Sequence, residues 1–140
     1  MKTSLSKKSV LFVCTHNAVR SQMAEAFLNK MYGNRFSAFS AGSDPIQIDP
    51  LVRMVMKEIG IDVSSYKSKG LNVFQDYHFD YVVTVCDQAN ESCPYFPEGN
   101  LRIHKSFPDP SKFQGWHDDV IKEYRHIRDE IKNWIEKEFG

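Results

Sequence analysis

The chain has 140 residues, 41% of them hydrophobic, with Lys plus Arg and Asp plus Glu at 18 each and a formal net charge of zero. That length supports one domain, residues 1–140, with a core that needs no staples, and the charge balance excludes a global field steering it to nucleic acid or an acidic membrane. Apolar runs fall far short of a transmembrane span, no apolar signal segment precedes the first strand, and an odd count of three cysteines argues against a secreted disulfide framework. The expectation is a cytoplasmic monomer whose anion affinity, if any, is local.

Val10 to Val13 form a short apolar run that suits a buried strand ending at Cys14. Met23, Ala24, Phe27, Leu28 and Met31 then recur at helical spacing, and Tyr32-Gly33-Asn34 gives a stop. Arg35 to Ala41 reads as a second strand, closed by Gly42 and the turn residues Ser43-Asp44-Pro45. Asp49 and Pro50 look like an N-cap and first helical position, followed by Leu51, Val52, Val55, Met56 and Ile59 at helical spacing up to Gly60. Ile61 to Tyr66 is a connection, and Leu71 to Phe79 is ambiguous, with room for a short helix. Tyr81 to Cys86 is aromatic and β-branched, the clearest strand, and it too ends in a cysteine. Asp87 to Gly99, rich in Asn, Pro and Gly, reads as a long loop containing Cys93. Leu101 to Lys105 suits a further strand, and Phe107-Pro108-Asp109-Pro110 is held extended by its prolines. A long helix over Asp118 to Phe139 carries the stripe Val120, Ile121, Tyr124, Ile127, Ile131, Trp134 and Ile135. The Met and aromatic residues on these stripes are core.

Strands alternating with helices predict an α/β fold: an open parallel sheet of about four strands with helices on both faces. Ligands of such sheets bind beyond the carboxyl ends of the strands. Cys14-Thr15-His16-Asn17-Ala18-Val19-Arg20-Ser21 is a tight strand-to-helix turn whose backbone N–H groups face the positive helix end, an anion site. The helix end favours thiolate at Cys14, and Arg20 offers a planar fork to two oxygens. The bland alternative makes Cys14 a small buried residue and Arg20 an ordinary surface one. Cys86 is otherwise an inert core cysteine and Cys93 a loop residue. Zinc held by Cys86, Cys93 and two of His78, His104 and His117 lacks a matching ligand spacing. A redox reading is more economical: a Cys14 thiolate attacks an oxidised substrate, Cys86 attacks the adduct, and Cys93 takes over the disulfide. Asp109 is either a turn residue or a general acid for a leaving oxygen.

Together these residues resemble the thioredoxin-coupled arsenate reductases, which share the fold of the low-molecular-weight protein tyrosine phosphatases. The likeness rests on VLFVCTHNAVRSQMAE, Ser40-Ala41-Gly42, GIDVSS, VVTVCDQANESCP, FPDP and the closing helix. It implies that Cys14 is the nucleophile and Arg20 the oxyanion clamp, with Thr15, His16, Asn17, Ala18 and Val19 completing the substrate loop. It also implies that Ser21 hydrogen-bonds the thiolate, Asn17 shapes the loop, Asp109 is the general acid, and Cys86 and Cys93 are resolving cysteines. The implied activity is reduction of arsenate to arsenite, with thioredoxin as electron donor and no bound cofactor or metal. Ala18 and Val19 depart from the usual small polar residue and Cys, and His16 stands where Gly is typical. Asn17, Glu25 and Ser40 match a potassium site of some members, but Lys69 stands where its acid would be. Ser111 replaces the aromatic residue that phosphatases carry after the Asp-Pro pair. The alternatives are a tyrosine phosphatase using Cys14, Arg20 and Asp109 and a non-enzymatic oxyanion-binding redox sensor; residual phosphatase activity fits the reductase and the phosphatase readings alike.

Overall fold

Val10 to Val13 are fully buried because they lie in a central strand covered on both faces. In the computed structural model, which describes residues 7–87 and 89–140, that strand is β1 (Lys8–Cys14). With β2 (Phe36–Gly42), β3 (Phe79–Thr84) and β4 (Gly99–His104) it makes one sheet, ordered β2-β1-β3-β4 and parallel at every pairing. Three α-helices, α1 (Arg20–Tyr32), α2 (Pro50–Lys57) and α3 (His117–Phe139), and 3-10 turns at Leu71–Phe74 and Pro110–Lys112 complete the order. This is the α/β parallel sheet of four strands that the alternating pattern implies.

The two faces of the sheet are covered differently. Val10, Phe12 and Cys14 point to one face and pack with Met23 and Phe27 of α1, Val52 and Met56 of α2, and Ile127, Ile131 and Ile135 of α3. Leu11 and Val13 alternate to the other face, where they meet Phe74 of the 3-10 turn, Phe79 and Phe96. The helical cover expected on both faces is unequal: the three α-helices share the first face, and the second carries the 3-10 helix Leu71–Phe74. On the second face, T-shaped ring contacts of Phe79 with Phe39, Phe74 and Phe96 add to the cover of that 3-10 helix.

Local chemistry explains the boundaries. Asp49 caps α2 by accepting from the Leu51 N–H at 2.9 Å, with Pro50 at the first helical position. The apolar stripe runs on to Ile59, yet α2 stops at Lys57. Gly60 at φ +83° lets its N–H reach the Lys57 carbonyl and that of Ile61 reach Met56, a Schellman closure that turns Ile59 outward. β2 and β4 sit close to the expected Arg35–Ala41 and Leu101–Lys105. β3 is displaced: it ends at Thr84, not at Cys86. Val85 still donates to the Val13 carbonyl at 2.9 Å, and Cys86 is buried just beyond the ladder, so an apolar run outlasts the strand. Cys14 and Cys86 thus leave adjacent parallel strands at the same end of the sheet.

Candidate active site

Cys14 ends β1 with 1% of its surface exposed, and the chain turns over Thr15–Val19 into α1. Asn17 takes the left-handed conformation (φ +52°) that this tight turn needs, and Asn is one of the few residues to adopt it readily. It is held there from several sides. Gln22 Nε2 donates to both Asn17 oxygens at 3.0 Å, the Ser68 hydroxyl donates to its carbonyl at 2.8 Å, and the Lys69 N–H donates to its Oδ1 at 2.8 Å. Its own amide donates to Ser21 Oγ at 2.7 Å, and Ser21 Oγ lies 2.9 Å from Cys14 Sγ. Gly42 lies against the turn so closely that a Cβ there would stand 2.5 Å from the Thr15 carbonyl oxygen. His16 faces Asp44, its Nδ1 2.9 Å from the Asp44 carbonyl oxygen.

The start of α1 has no side-chain cap, since Val19 occupies the N-cap position. Among the described residues, the N–H groups of residues 15–19 engage no other protein group. Orphan donors at a helix N-terminus are what an anion satisfies. The turn borders a cavity of about 180 Å³ lined in part by Cys14, His16, Ala18, Val19, Arg20 and Asp109. Asp109 comes from the extended segment before α3. Ser111 donates to its Oδ1 through both N–H (3.0 Å) and hydroxyl (2.7 Å), leaving Oδ2 3.6 Å from Arg20 Nη2. Asp49 lines the same cavity and accepts a hydrogen bond from the Tyr124 hydroxyl, which joins the mouth of the site to α3. Burial first, then Asp49, pushes the Tyr124 phenol far above its ordinary range.

Arg20 is buried, at 2% exposure. Its Nη1 donates to the Phe107 carbonyl at 3.1 Å, and among the described residues its Nε has no partner. Both Nη atoms bind the carboxylate of Glu91, a residue the sequence reading did not single out. Glu91 also accepts from the Thr15 hydroxyl (2.7 Å) and the Asp87 N–H (2.9 Å). Burial alone would raise its pKa. The hydrogen bonds from Arg20, Thr15 and Asp87 overcome that and hold it at about 2. Burial likewise works against the Arg20 cation, but Glu91, Cys14 and Asp109 around it leave its pKa raised. No periodicity or spacing marks Glu91; its only signal is an acid between two cysteines.

Those two cysteines are joined. Cys86 and Cys93 form a disulfide with Cα atoms 5.9 Å apart, and Cys14 is a free thiol. Cys86 is fully buried and Cys93 half-buried, so Cys93 is the nearer of the pair to solvent. Ser40 donates to Glu25, and Lys69 Nζ lies 3.9 Å from the same carboxylate, while the Lys69 N–H binds Asn17. Burial raises the Glu25 pKa, with the Ser40 bond and Lys69 offsetting part of the rise. The Lys69 ammonium itself donates to the Lys67 carbonyl at 2.8 Å. Among the described residues no group of three or more His, Cys, Asp and Glu is disposed to hold a metal, and no helix is long and apolar enough to cross a membrane.

Comparison with known proteins agrees with this geometry. The family described as low molecular weight phosphotyrosine protein phosphatase matches residues 9–139. An arsenate reductase of Halalkalibacterium halodurans is 38% identical over 127 residues, 91% of each chain. A solved arsenate reductase in a phosphate-binding state superposes with a TM-score of 0.78 at 27% identity, over 93% of this chain and 95% of that one. A thioredoxin-dependent arsenate reductase of Corynebacterium glutamicum superposes with a TM-score of 0.62 at 28% identity, over 96% of this chain and 65% of that one.

Proposed function

The chain belongs to the low molecular weight phosphotyrosine protein phosphatase family, among its arsenate reductases, and on that premise we propose that it reduces arsenate to arsenite through Cys14, Cys86 and Cys93. One observation carries the reading: a free thiol at the base of the Arg20 turn, with the other two cysteines already paired on the neighbouring strand end. That is the state a three-thiol relay leaves behind.

Arsenate sits on the free N–H groups of the turn and on Arg20, donors fixed before the reaction begins. The Cys14 thiolate forms a sulfur–arsenic bond, and one arsenate hydroxyl leaves as water with a proton from Asp109. The Ser21 hydroxyl holds the sulfur. The Cys86 thiolate then attacks the Cys14 sulfur. The sulfur–arsenic electron pair stays on arsenic, which departs as arsenite, and a Cys14–Cys86 disulfide remains. Cys93 attacks Cys86, frees the Cys14 thiolate and leaves the Cys86–Cys93 disulfide. A thioredoxin-type dithiol returns two electrons and two protons, reaching the pair through Cys93.

The test is arsenate-dependent NADPH consumption with thioredoxin and thioredoxin reductase. Turnover in the unmodified chain that is lost in Cys14→Ser, Cys86→Ser and Cys93→Ser is expected. Full turnover in Cys93→Ser would refute the relay. Aryl-phosphate hydrolysis indifferent to Cys86 and Cys93, with no arsenate turnover, would make the site a phosphatase.

A further inference from the structure

The oxyanion fork of Arg20 is engaged by a side chain of the loop that the disulfide closes. Glu91 lies between Cys86 and Cys93, and its two oxygens take both Nη atoms of Arg20, at 3.0 Å for Nη2 to Oε1. Thr15, a residue of the substrate turn, donates to the same carboxylate at 2.7 Å. The loop is shaped to deliver it: the N–H groups of Asn90 and Glu91 both bond the Asp87 carbonyl, at 3.0 and 2.9 Å, and the Asn90 amide donates to the Asp87 carboxylate at 2.7 Å. The Glu91 side chain is left 9% exposed. A planar, bidentate carboxylate on a buried guanidinium presents two oxygens as a tetrahedral oxyanion would. Asp109 and Asp49 border the same cavity, but neither takes both nitrogens of the fork.

We propose that Glu91 is an internal competitor for the oxyanion seat, engaged while the Cys86–Cys93 disulfide is closed and released when it opens. The proposal rests on the relay reading of those two cysteines. Closing the ring over residues 86–93 confines the loop and keeps the carboxylate at high effective concentration beside Arg20. Opening it lets the loop explore other conformations and that concentration falls. An oxyanion entering the closed form meets a negative charge already on its clamp. The oxidised chain therefore binds arsenate and phosphate more weakly until a dithiol has reset it.

The experiment titrates inorganic phosphate, which the thiols do not reduce, into the full chain in two states. These are the disulfide form, checked by counting one free thiol, and the form reduced with uncharged dithiothreitol. The reduced chain is expected to bind phosphate at least about tenfold more tightly, within the usual range for coupled sites. Glu91→Gln and Glu91→Ala, each in the disulfide form, should recover the affinity of the reduced chain. Cys93→Ser should show it without any dithiol. Equal affinity in the two states of the unmodified chain would overturn the proposal, as would a difference that persists in both Glu91 variants. A Glu91 substitution that raises phosphate affinity by the same factor in both redox states would also overturn it, since the contact would then be independent of the disulfide. A reduced chain and Glu91 variants that all fail to bind phosphate would instead refute the oxyanion site itself, and the proposal with it.

Discussion

Replacing Ser21 with alanine takes away the hydroxyl that stands between Asn17 and Cys14. The Asn17 amide donates to Ser21 Oγ at 2.7 Å, which leaves the hydroxyl hydrogen for the Cys14 sulfur at 2.9 Å. A hydrogen bond to a charged partner contributes about 1.5–3 kcal/mol. At about tenfold in rate per 1.36 kcal/mol, formation of the sulfur–arsenic bond slows by roughly 10- to 150-fold if Ser21 holds the thiolate. The same change orphans the buried Asn17 amide, so the fold loses about 1–3 kcal/mol as well. Rapid-quench measurement of arsenite release in a single turnover reads the first effect, and a urea melt reads the second. A variant that loses stability but keeps the rate would refute the role assigned to Ser21, because only the Asn17 anchor would then have mattered.

Gly42→Ala places a methyl group 2.5 Å from the Thr15 carbonyl oxygen and 2.9 Å from that of Cys14. Overpacking of this kind costs about 1–3 kcal/mol, and a phosphate titration should show weakened binding because the turn itself is displaced. Tyr124→Phe removes the donor to the Asp49 carboxylate, and a urea melt should show a loss of about 1.5–3 kcal/mol. The Glu91 carboxyl, held at about 2 in the folded chain against an ordinary 4.5, contributes stability that is complete above the ordinary value. That contribution fades as pH falls from there towards 2. Acid unfolding monitored by circular dichroism should therefore show a shallower decline over that interval for Glu91→Gln than for the unmodified chain.

Much of the architecture is legible where burial and periodicity agree. β1 is apolar on both faces and reads as a strand, and Asp49-Pro50 announces the start of α2 by its capping chemistry. Where burial continues after the element stops, pattern misleads. Val85 and Cys86 extend the apolar run of β3 without joining its ladder, and Ile59 prolongs the stripe of α2 past a Schellman turn. In α1 the signal fails differently. Arg20, Ser21 and Gln22 are buried polar residues, so the helix is enclosed around its first turn, and an apolar stripe says nothing about why. Arg128 is similar: it sits among the core positions of α3 and satisfies itself on the Val55 carbonyl and Glu58. The site was readable as far as the Cys14–Arg20 turn, a local motif. Glu91 was not, because its bond to Arg20 joins positions 71 residues apart and depends on how the loop folds back.

The central claim is that two electrons pass from three thiols to arsenic in a fixed order. The most direct measurement mixes the fully reduced chain with one equivalent of arsenate and no external thiol, then quantifies arsenite and maps the disulfide by mass spectrometry of the alkylated peptides. One arsenite per chain, a Cys86–Cys93 disulfide and an alkylated Cys14 are predicted. No arsenite, or a final disulfide that contains Cys14, would contradict the account.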